Sequence, residues 1–301
     1  MRLSKEDSLK LRDEVTTAYF IREEGGKASL TTENPGNDVR GMIPSVSPEM
    51  LGSAAFRQSY GVKYALYGGA MANGITSVEM VIAMGKAGFM ASFGSGGLSV
   101  ECVRESIHAI RNGLGNRPFL VNLLNSPFEP KVEEDMVALF LSEGITAIEA
   151  SAYMTVTRNL VRYRASGLSR AGDGSITIQN RIIAKISRKE VAIRFLAPAP
   201  DGILSQLVNE RLITADQAEL AKLVPMADDI TVEADSGGHT DHRPLVGLLP
   251  SIVAIRDAVQ RARGYATPVR IGSAGGIGTP AAAAAAFQMG ADYIVTGSIN
   301  Q

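Results

Sequence analysis

Residues 269–298 read VRIGSAGGIGTPAAAAAAFQMGADYIVTGS, and the order of residue types in this stretch decides the fold. A short apolar strand, Val269–Gly272, runs into a glycine-rich turn. Thr279 then supplies a helix N-cap and Pro280 suits a first helical position, so a helix is expected over Ala281–Met289 with Gly290 as its stop. A second strand, Tyr293–Val295, ends in Thr296-Gly297-Ser298. The adjacent Gly275 and Gly276 let backbone N–H groups approach an anion that the helix N-terminus also attracts. Gly297 and Ser298 form a second such turn one strand later. In a (β/α)8 barrel, the turns after strands seven and eight make the common phosphate site. The spacing Gly276-x-Gly278-x-x-Ala281 also matches a dinucleotide fingerprint, but a Rossmann sheet needs further strands after it, and here one strand follows. The remaining alternative is that these glycines only make tight turns.

Working outward, the same alternation of apolar run, glycine turn, amphipathic segment and glycine stop recurs from Tyr64 onward. Strands are expected near Tyr64–Tyr67, Met90–Phe93, Phe119–Asn122, Ala147–Ala150, Ile182–Ile186 and Ile230–Glu233, completed to eight by the two above. Helices are expected over Ser77–Ala87, Val100–Arg111 and Val132–Ser142. The widest gap, residues 198–225, holds a pair of short helices around Leu204–Arg211 and Ala215–Leu223. The fold class is therefore α/β, a (β/α)8 TIM barrel over residues 61–301 with a short helical insertion between strands five and six; a doubly wound open sheet is the alternative. Residues 1–60 are polar, broken by Gly25-Gly26 and by Pro35, Pro44 and Pro48, and read as an N-terminal arm packed on the barrel. No helix follows strand eight before Gln301, so either the arm covers that strand or the chain is a fragment.

Composition narrows the class. Of 301 residues, 45% are hydrophobic and 20% charged, which suits a folded core rather than disorder. The longest apolar run, Ala281–Phe287, is far shorter than the ~20 residues of a membrane span, and Met1 leads into charged residues rather than a signal core. One cysteine, Cys102, permits no internal disulfide, so the cytoplasm is the expected compartment. Thirty basic against 31 acidic residues give a net charge of −1 and nothing that favours nucleic acid. Locally the balance shifts: between Arg158 and Lys189 there are eight basic residues, Arg162, Arg164 and Arg170 among them, against the single acid Asp173. This segment is read either as a surface for an acidic partner or as a solvated face.

Strand six runs into Glu233-Ala-Asp-Ser-Gly-Gly-His-Thr-Asp-His-Arg243. Two glycines and then His239 at the carboxyl end of a barrel strand put an imidazole where such enzymes work, and histidine titrates in the range useful for proton transfer. Asp241 and His242 either orient it or stand on the rim. His108 falls inside a helix and reads as structural, and no metal site is expected. Strand one ends in Tyr67-Gly-Gly-Ala-Met-Ala-Asn-Gly74, a turn that lets a flat ligand approach the backbone. Asn122 closes strand three. Lys185 lies within strand five, where a charge needs a partner: an anionic ligand, or a salt bridge to Glu149 or Glu233.

The stretches Gly68–Gly74, Ala234–Asp241, Gly272–Gly278 and Val295–Gln301 resemble the trans-acting enoyl reductases of polyketide and polyunsaturated fatty acid synthases, PfaD type, within the superfamily of nitronate monooxygenase-like flavoproteins. The resemblance implies FMN in a TIM barrel. By it, Gly275, Gly276, Gly297 and Ser298 would hold the FMN phosphate; Gly69, Met71 and Asn122 would lie along the isoalloxazine; Lys185 would stand near its N1 and O2 edge; and Ser236, Gly237 and Gly238 would border the cofactor. His239 would be the catalytic residue facing the substrate; from the strand-six turn and the basic segment themselves, His242, Arg162, Arg164 and Arg170 are expected toward substrate or partner. Asp235-Ser236 stands where better-known relatives carry Glu-Ala, so no role is carried over to that acid. The implied reaction is reduction of the α,β-double bond of an enoyl thioester on an acyl carrier protein, with NADH or NADPH as hydride donor. The alternatives are a nitronate monooxygenase and a non-catalytic flavin-binding synthase component. A homo-oligomer is compatible with either.

Overall fold

The computed structural model describes residues 3–34, 36–234 and 240–301, and the chain divides into the units Met1–Leu51 and Gly52–Gln301. In the first, the Ser4 side chain accepts from the Asp7 N–H and starts α1 (Lys5–Asp13). Strands β1 (Tyr19–Glu24), β2 (Lys27–Thr31) and β3 (Val39–Ile43) form an antiparallel sheet in the order β2-β1-β3. Gly25 and Gly26 both have positive φ, 60° and 79°, as a two-residue type I′ hairpin turn requires, and Glu24 pairs with Lys27 across it. The arm read from sequence thus contains a helix and a three-stranded sheet. The two-glycine turn fixes the register of β1, which carries little apolar alternation, against β2, in which Ala28 and Leu30 share one face.

The second unit opens with α2 (Ala54–Tyr60), so the boundary expected at residue 60 falls inside it. Then come β4 (Leu66–Gly68), α3 (Val78–Lys86), β5 (Met90–Phe93), α4 (Val100–Leu114), β6 (Leu120–Leu124), α5 (Pro130–Ser142), β7 (Ala147–Ser151) and α6 (Arg158–Ser166). A hairpin of β8 (Leu168–Arg170) and β9 (Ile176–Ile178) precedes β10 (Arg181–Ile186) and α7 (Lys189–Leu196). The insertion is α8 (Asp201–Asn209) and α9 (Ala215–Ala221); β11 (Asp229–Glu233), α10 (Leu245–Arg263), β12 (Arg270–Ala274), α11 (Pro280–Gln288) and β13 (Ile294–Thr296) complete the unit. Among the described residues, eight parallel strands close in the order β4-β5-β6-β7-β10-β11-β12-β13. No helix of the described residues is long and apolar enough to cross a membrane.

The strands are covered by helices and therefore read as apolar runs rather than alternations. Hydroxyl caps place the helices: Ser77, Ser99, Thr157 and Thr279 each accept from a backbone N–H of the first turn, and Thr214 forms a capping box with Gln217.

The amino-terminal end of the barrel is filled by aromatic and ionic groups. Phe56 of α2 stacks on Tyr293 with centroids 4.3 Å apart, and Tyr60 donates a 2.5 Å hydrogen bond to Asp229 Oδ2. Arg270 grips the same carboxylate with Nε at 2.6 Å and Nη2 at 2.7 Å. Burial pushes the Asp229 carboxyl up, against the opposing pull of Arg270. Above this pair, Thr231 Oγ1 bridges the hydroxyls of Tyr67 (3.2 Å) and Tyr293 (2.9 Å). These groups pack with Met90, Leu120 and Ile183.

Gly272 lies directly against the Tyr293 ring, on which a Cβ at this position would fall. Gly272→Ala is expected to destabilise the barrel by about 1–3 kcal/mol through overpacking, read as a lowered urea midpoint with an unchanged slope. An unshifted midpoint would show that the ring gives way without cost.

Candidate active site

At the carboxyl ends of the barrel strands lies a cavity of about 910 Å3. The turns after β4, β7, β10, β12 and β13 line it together with Asn122 and Leu124 of β6 and Glu233 of β11. The turn after β4 is held from within by buried Thr76, whose hydroxyl donates to Gly69 O and accepts from the Met71 N–H, both at 2.9 Å. Gly69 is fixed to the last strand by its own N–H, 2.8 Å from Thr296 O. A Cβ at Gly69 would come within 2.8 Å of Val295 Cγ1, so a side chain there would have to displace Val295.

The turn after β12 is built on two left-handed glycines. Gly275 has φ +89°, and a Cβ there would meet Ala234 O at 2.8 Å; Gly276 has φ +71° and faces open space. Thr279 then accepts from the Ala282 N–H at 3.2 Å, and α11 begins with Pro280 at its first position. After β13, Asn300 closes the neighbouring turn: its Nδ2 donates to Thr296 O at 3.1 Å and its Oδ1 accepts from the Thr296 hydroxyl at 3.0 Å. Gly275, Gly276, Gly297 and Ser298 therefore line one end of the cavity, beside a helix N-terminus.

An ionic trio reaches the cavity through Lys185 and Glu233. Lys185 Nζ lies 3.3 Å from Glu149 Oε1 and 3.3 Å from Glu233 Oε1. Glu149 is fully buried, and its second oxygen accepts from the Ala70 N–H at 3.2 Å. Burial by itself would lower the Lys185 pKa; the attraction of Glu149 and then Glu233 outweighs it and holds the ammonium above the ordinary lysine range. Asn122, also buried, donates through Nδ2 to Glu149 O (3.0 Å) and Ser151 Oγ (2.9 Å), so its amide is held in one orientation.

Eight residues expected from sequence thus share one cavity: Gly69, Met71, Asn122, Lys185, Gly275, Gly276, Gly297 and Ser298. Both salt-bridge partners considered for Lys185 are present at once. Ser236, Gly237, Gly238 and His239 lie outside the described residues. His242 is exposed, with φ 53°, and is not among the lining residues. Asp241 is engaged by Arg188, at 2.7 Å from Nε and 2.8 Å from Nη2, which holds its carboxyl below the usual range. The basic segment does not form one face. Arg164 is a correction to the expected partner surface: it is 1% exposed, donates to Pro225 O and Asn180 O, and pairs with Asp228 at 2.6 Å. Arg162 is half-buried, whereas Arg170 is exposed on β8. Thr76, Ser151 and Arg188 belong to the cavity or its support and carry no recognisable motif; Asn300 lies in the Val295–Gln301 stretch, but its closing of the turn was not expected.

No family model matches the chain. It is 53% identical over 253 residues to a polyunsaturated fatty acid synthase protein of Thraustochytrium sp., covering 83% of this chain and 17% of that protein. It is 48% identical over 263 residues to the polyketide biosynthesis protein PksE of Bacillus subtilis, covering 87% of this chain and 34% of that one. The enoyl reductase domain of MlnA from the macrolactin biosynthesis cluster of Bacillus amyloliquefaciens superposes with a TM-score of 0.81 at 41% identity, over 84% of this chain and 57% of that one. FabK from Thermotoga maritima, at 19% identity and a TM-score of 0.53 over 82% of this chain and 61% of that one, shares the fold. The chain thus spans well under two thirds of the length of the synthase proteins it matches.

Lys185→Met would strand the buried Glu149 without its cation, and a loss of roughly 3–5 kcal/mol in unfolding free energy is expected. The double variant Lys185→Met with Glu149→Gln should recover part of that loss, because no buried carboxylate is then left unpaired. Because the Lys185 pKa is raised in the folded state, its stabilising contribution is complete below the ordinary lysine value and disappears only as pH rises through the higher folded one. Equal losses in the single and double variants would show that the trio is not coupled.

Proposed function

We propose, from the premise that this chain belongs to the family of the polyunsaturated fatty acid and polyketide synthase segments it matches, that it is an FMN-dependent enoyl reductase acting on carrier-bound acyl thioesters. The observation that carries the reading is the meeting, in one cavity, of two glycine turns, one of them at a helix N-terminus, with a lysine held between two carboxylates. The fit of FMN rests on that cradle. Gly275 and Gly276 have backbone angles that side chains oppose, and a Cβ on Gly69 would collide with Val295, so the lining stays clear of side chains where a phosphate and a flat ring need close backbone approach.

On this reading Gly275, Gly276, Gly297 and Ser298 hold the phosphate, Gly69, Met71 and Asn122 border the ring system, and Lys185 supplies a fixed positive charge. Ser236, Gly237 and Gly238 complete the border. When bound, FMN supplies the hydride chemistry, charged by NADH or NADPH. The protein's own work is to orient and to move one proton. The enoyl β-carbon gains a hydride, the α-carbon gains a proton, and the C=C bond becomes single. His239 is the proposed donor of that proton, from its position after two glycines at the end of strand six. The Lys185 ammonium, held charged by two carboxylates, is a poor donor near neutral pH and serves as an electrostatic anchor. The proposed partner is an acyl carrier protein, with exposed Arg170 on the β8–β9 hairpin as one docking charge.

NAD(P)H consumption with an enoyl thioester on a carrier protein, with a nitronate as control substrate, tests the reading; turnover with the enoyl thioester is expected. His239→Ala should retain FMN, titrated by its visible absorbance, and slow turnover by about 10²–10⁴. Loss of flavin with unchanged turnover per bound flavin would make His239 structural. Arg170→Glu should raise KM for the carrier-bound substrate and spare a short free thioester, with the difference shrinking as salt rises. Equal effects on both substrates would remove Arg170 from the docking surface.

A further inference from the structure

The opposite mouth of the barrel holds a second cavity, of about 730 Å3. Its walls come from residues that precede the strands: Phe119 before β6, Thr146 before β7 and Gln179 before β10. Three arginines line it, Arg111, Arg117 and Arg181, and no aspartate or glutamate is among its lining residues. Three like charges around one hollow repel, so the arrangement favours an anion between them.

The nearby carboxylates are already committed. Glu143 pairs with Arg111 at 3.3 Å, but Arg104 (3.3 Å) and His108 (2.9 Å) share it, so it offsets only part of the charge. Asp229, beneath the cavity floor formed by Tyr60, is neutralised by the two-point grip of Arg270. Two of the guanidinium groups are also oriented before any ligand arrives. Arg111 is held by Glu143 through both its carboxylate and its carbonyl oxygen, and Arg181 donates to Ser59 O and lies over the Tyr60 ring, 5.5 Å from its centroid. Arg117 is exposed, and its Nη1 donates to Leu114 O at 3.5 Å. Thr146 and Gln179 add neutral polar groups on the exposed side. Planar forks of this kind match the geometry of phosphate oxygens, and a cavity of this size suits a small organic ligand.

We propose that the amino-terminal mouth of the barrel is a binding site for a phosphate-bearing small molecule, recognised by Arg111, Arg117 and Arg181. The site is independent of the cofactor reading, since it shares no residue with the carboxyl-end cavity. Titration calorimetry of the full chain at low salt tests it, with inorganic pyrophosphate in one arm and AMP in the other. Saturable binding of at least one is expected; tighter AMP binding assigns an organic phosphate, tighter pyrophosphate a free polyphosphate. Arg117→Ala should weaken binding about tenfold or more without lowering the melting temperature, as expected for losing a charged hydrogen-bond donor. Thr146→Glu, which adds a carboxylate to the same mouth, should act in the same direction. Absence of saturable binding, or binding that neither variant changes, would overturn the proposal.

Discussion

The barrel closes along a short seam between its last and first strands, where Ile294, Val295 and Thr296 pair with Leu66, Tyr67 and Gly68. The Gly69 N–H carries the ladder one bond beyond the strands, to Thr296 O. A Cβ on Gly69 would press on the Val295 side chain, so glycine leaves this end of the seam unstrained. Closure brings the turn after β4 beside the turn after β13, two segments separated by most of the chain. The junction thereby adds the Gly69–Ala72 turn to a cavity whose two glycine turns are brought side by side by the pairing of β12 with β13.

The buried charges follow from the same geometry. Parallel strands β7, β10 and β11 are neighbours, with Glu149, Lys185 and Glu233 on them at the carboxyl end. A lysine in a covered strand costs stability unless paired, and the two flanking strands supply its partners. Ala70 ties the trio to the first turn through Glu149. The other end repeats this logic with Asp229 and Arg270 on adjacent strands and Tyr60 from α2. Both ends of the barrel are thus set by ion pairs between neighbouring strands, with apolar packing between them.

The strands were legible in sequence because covered parallel strands are short apolar runs bounded by glycine, and the caps and glycine stops fixed several helices. The N-terminal sheet was hidden because β1 puts Arg22 and Glu23 on opposite faces and the alternation of Lys27–Thr31 lasts only five residues; Gly25-Gly26 announces the hairpin. Pro250 interrupts the pattern of α10, which nonetheless runs from Leu245 to Arg263. In the cavity, glycine turns and a charge within a strand were readable, whereas Thr76 and Asn300 act by hydrogen bonds that depend on turns formed only after folding. Arg164 misled for the converse reason: among surface-like arginines, nothing local marks the one that reaches inward to Asp228 and Pro225.

On the proposed reading the cavity passes hydride to an enoyl carbon, whereas a nitronate monooxygenase would draw electrons from its substrate. The most direct measurement follows the flavin spectrum anaerobically in two half-reactions. Bleaching by NADH or NADPH is expected, followed by return of the oxidised spectrum on adding an enoyl thioester, with the saturated thioester as product. Bleaching by a nitronate, together with reduced flavin that the enoyl thioester leaves unchanged, would contradict it.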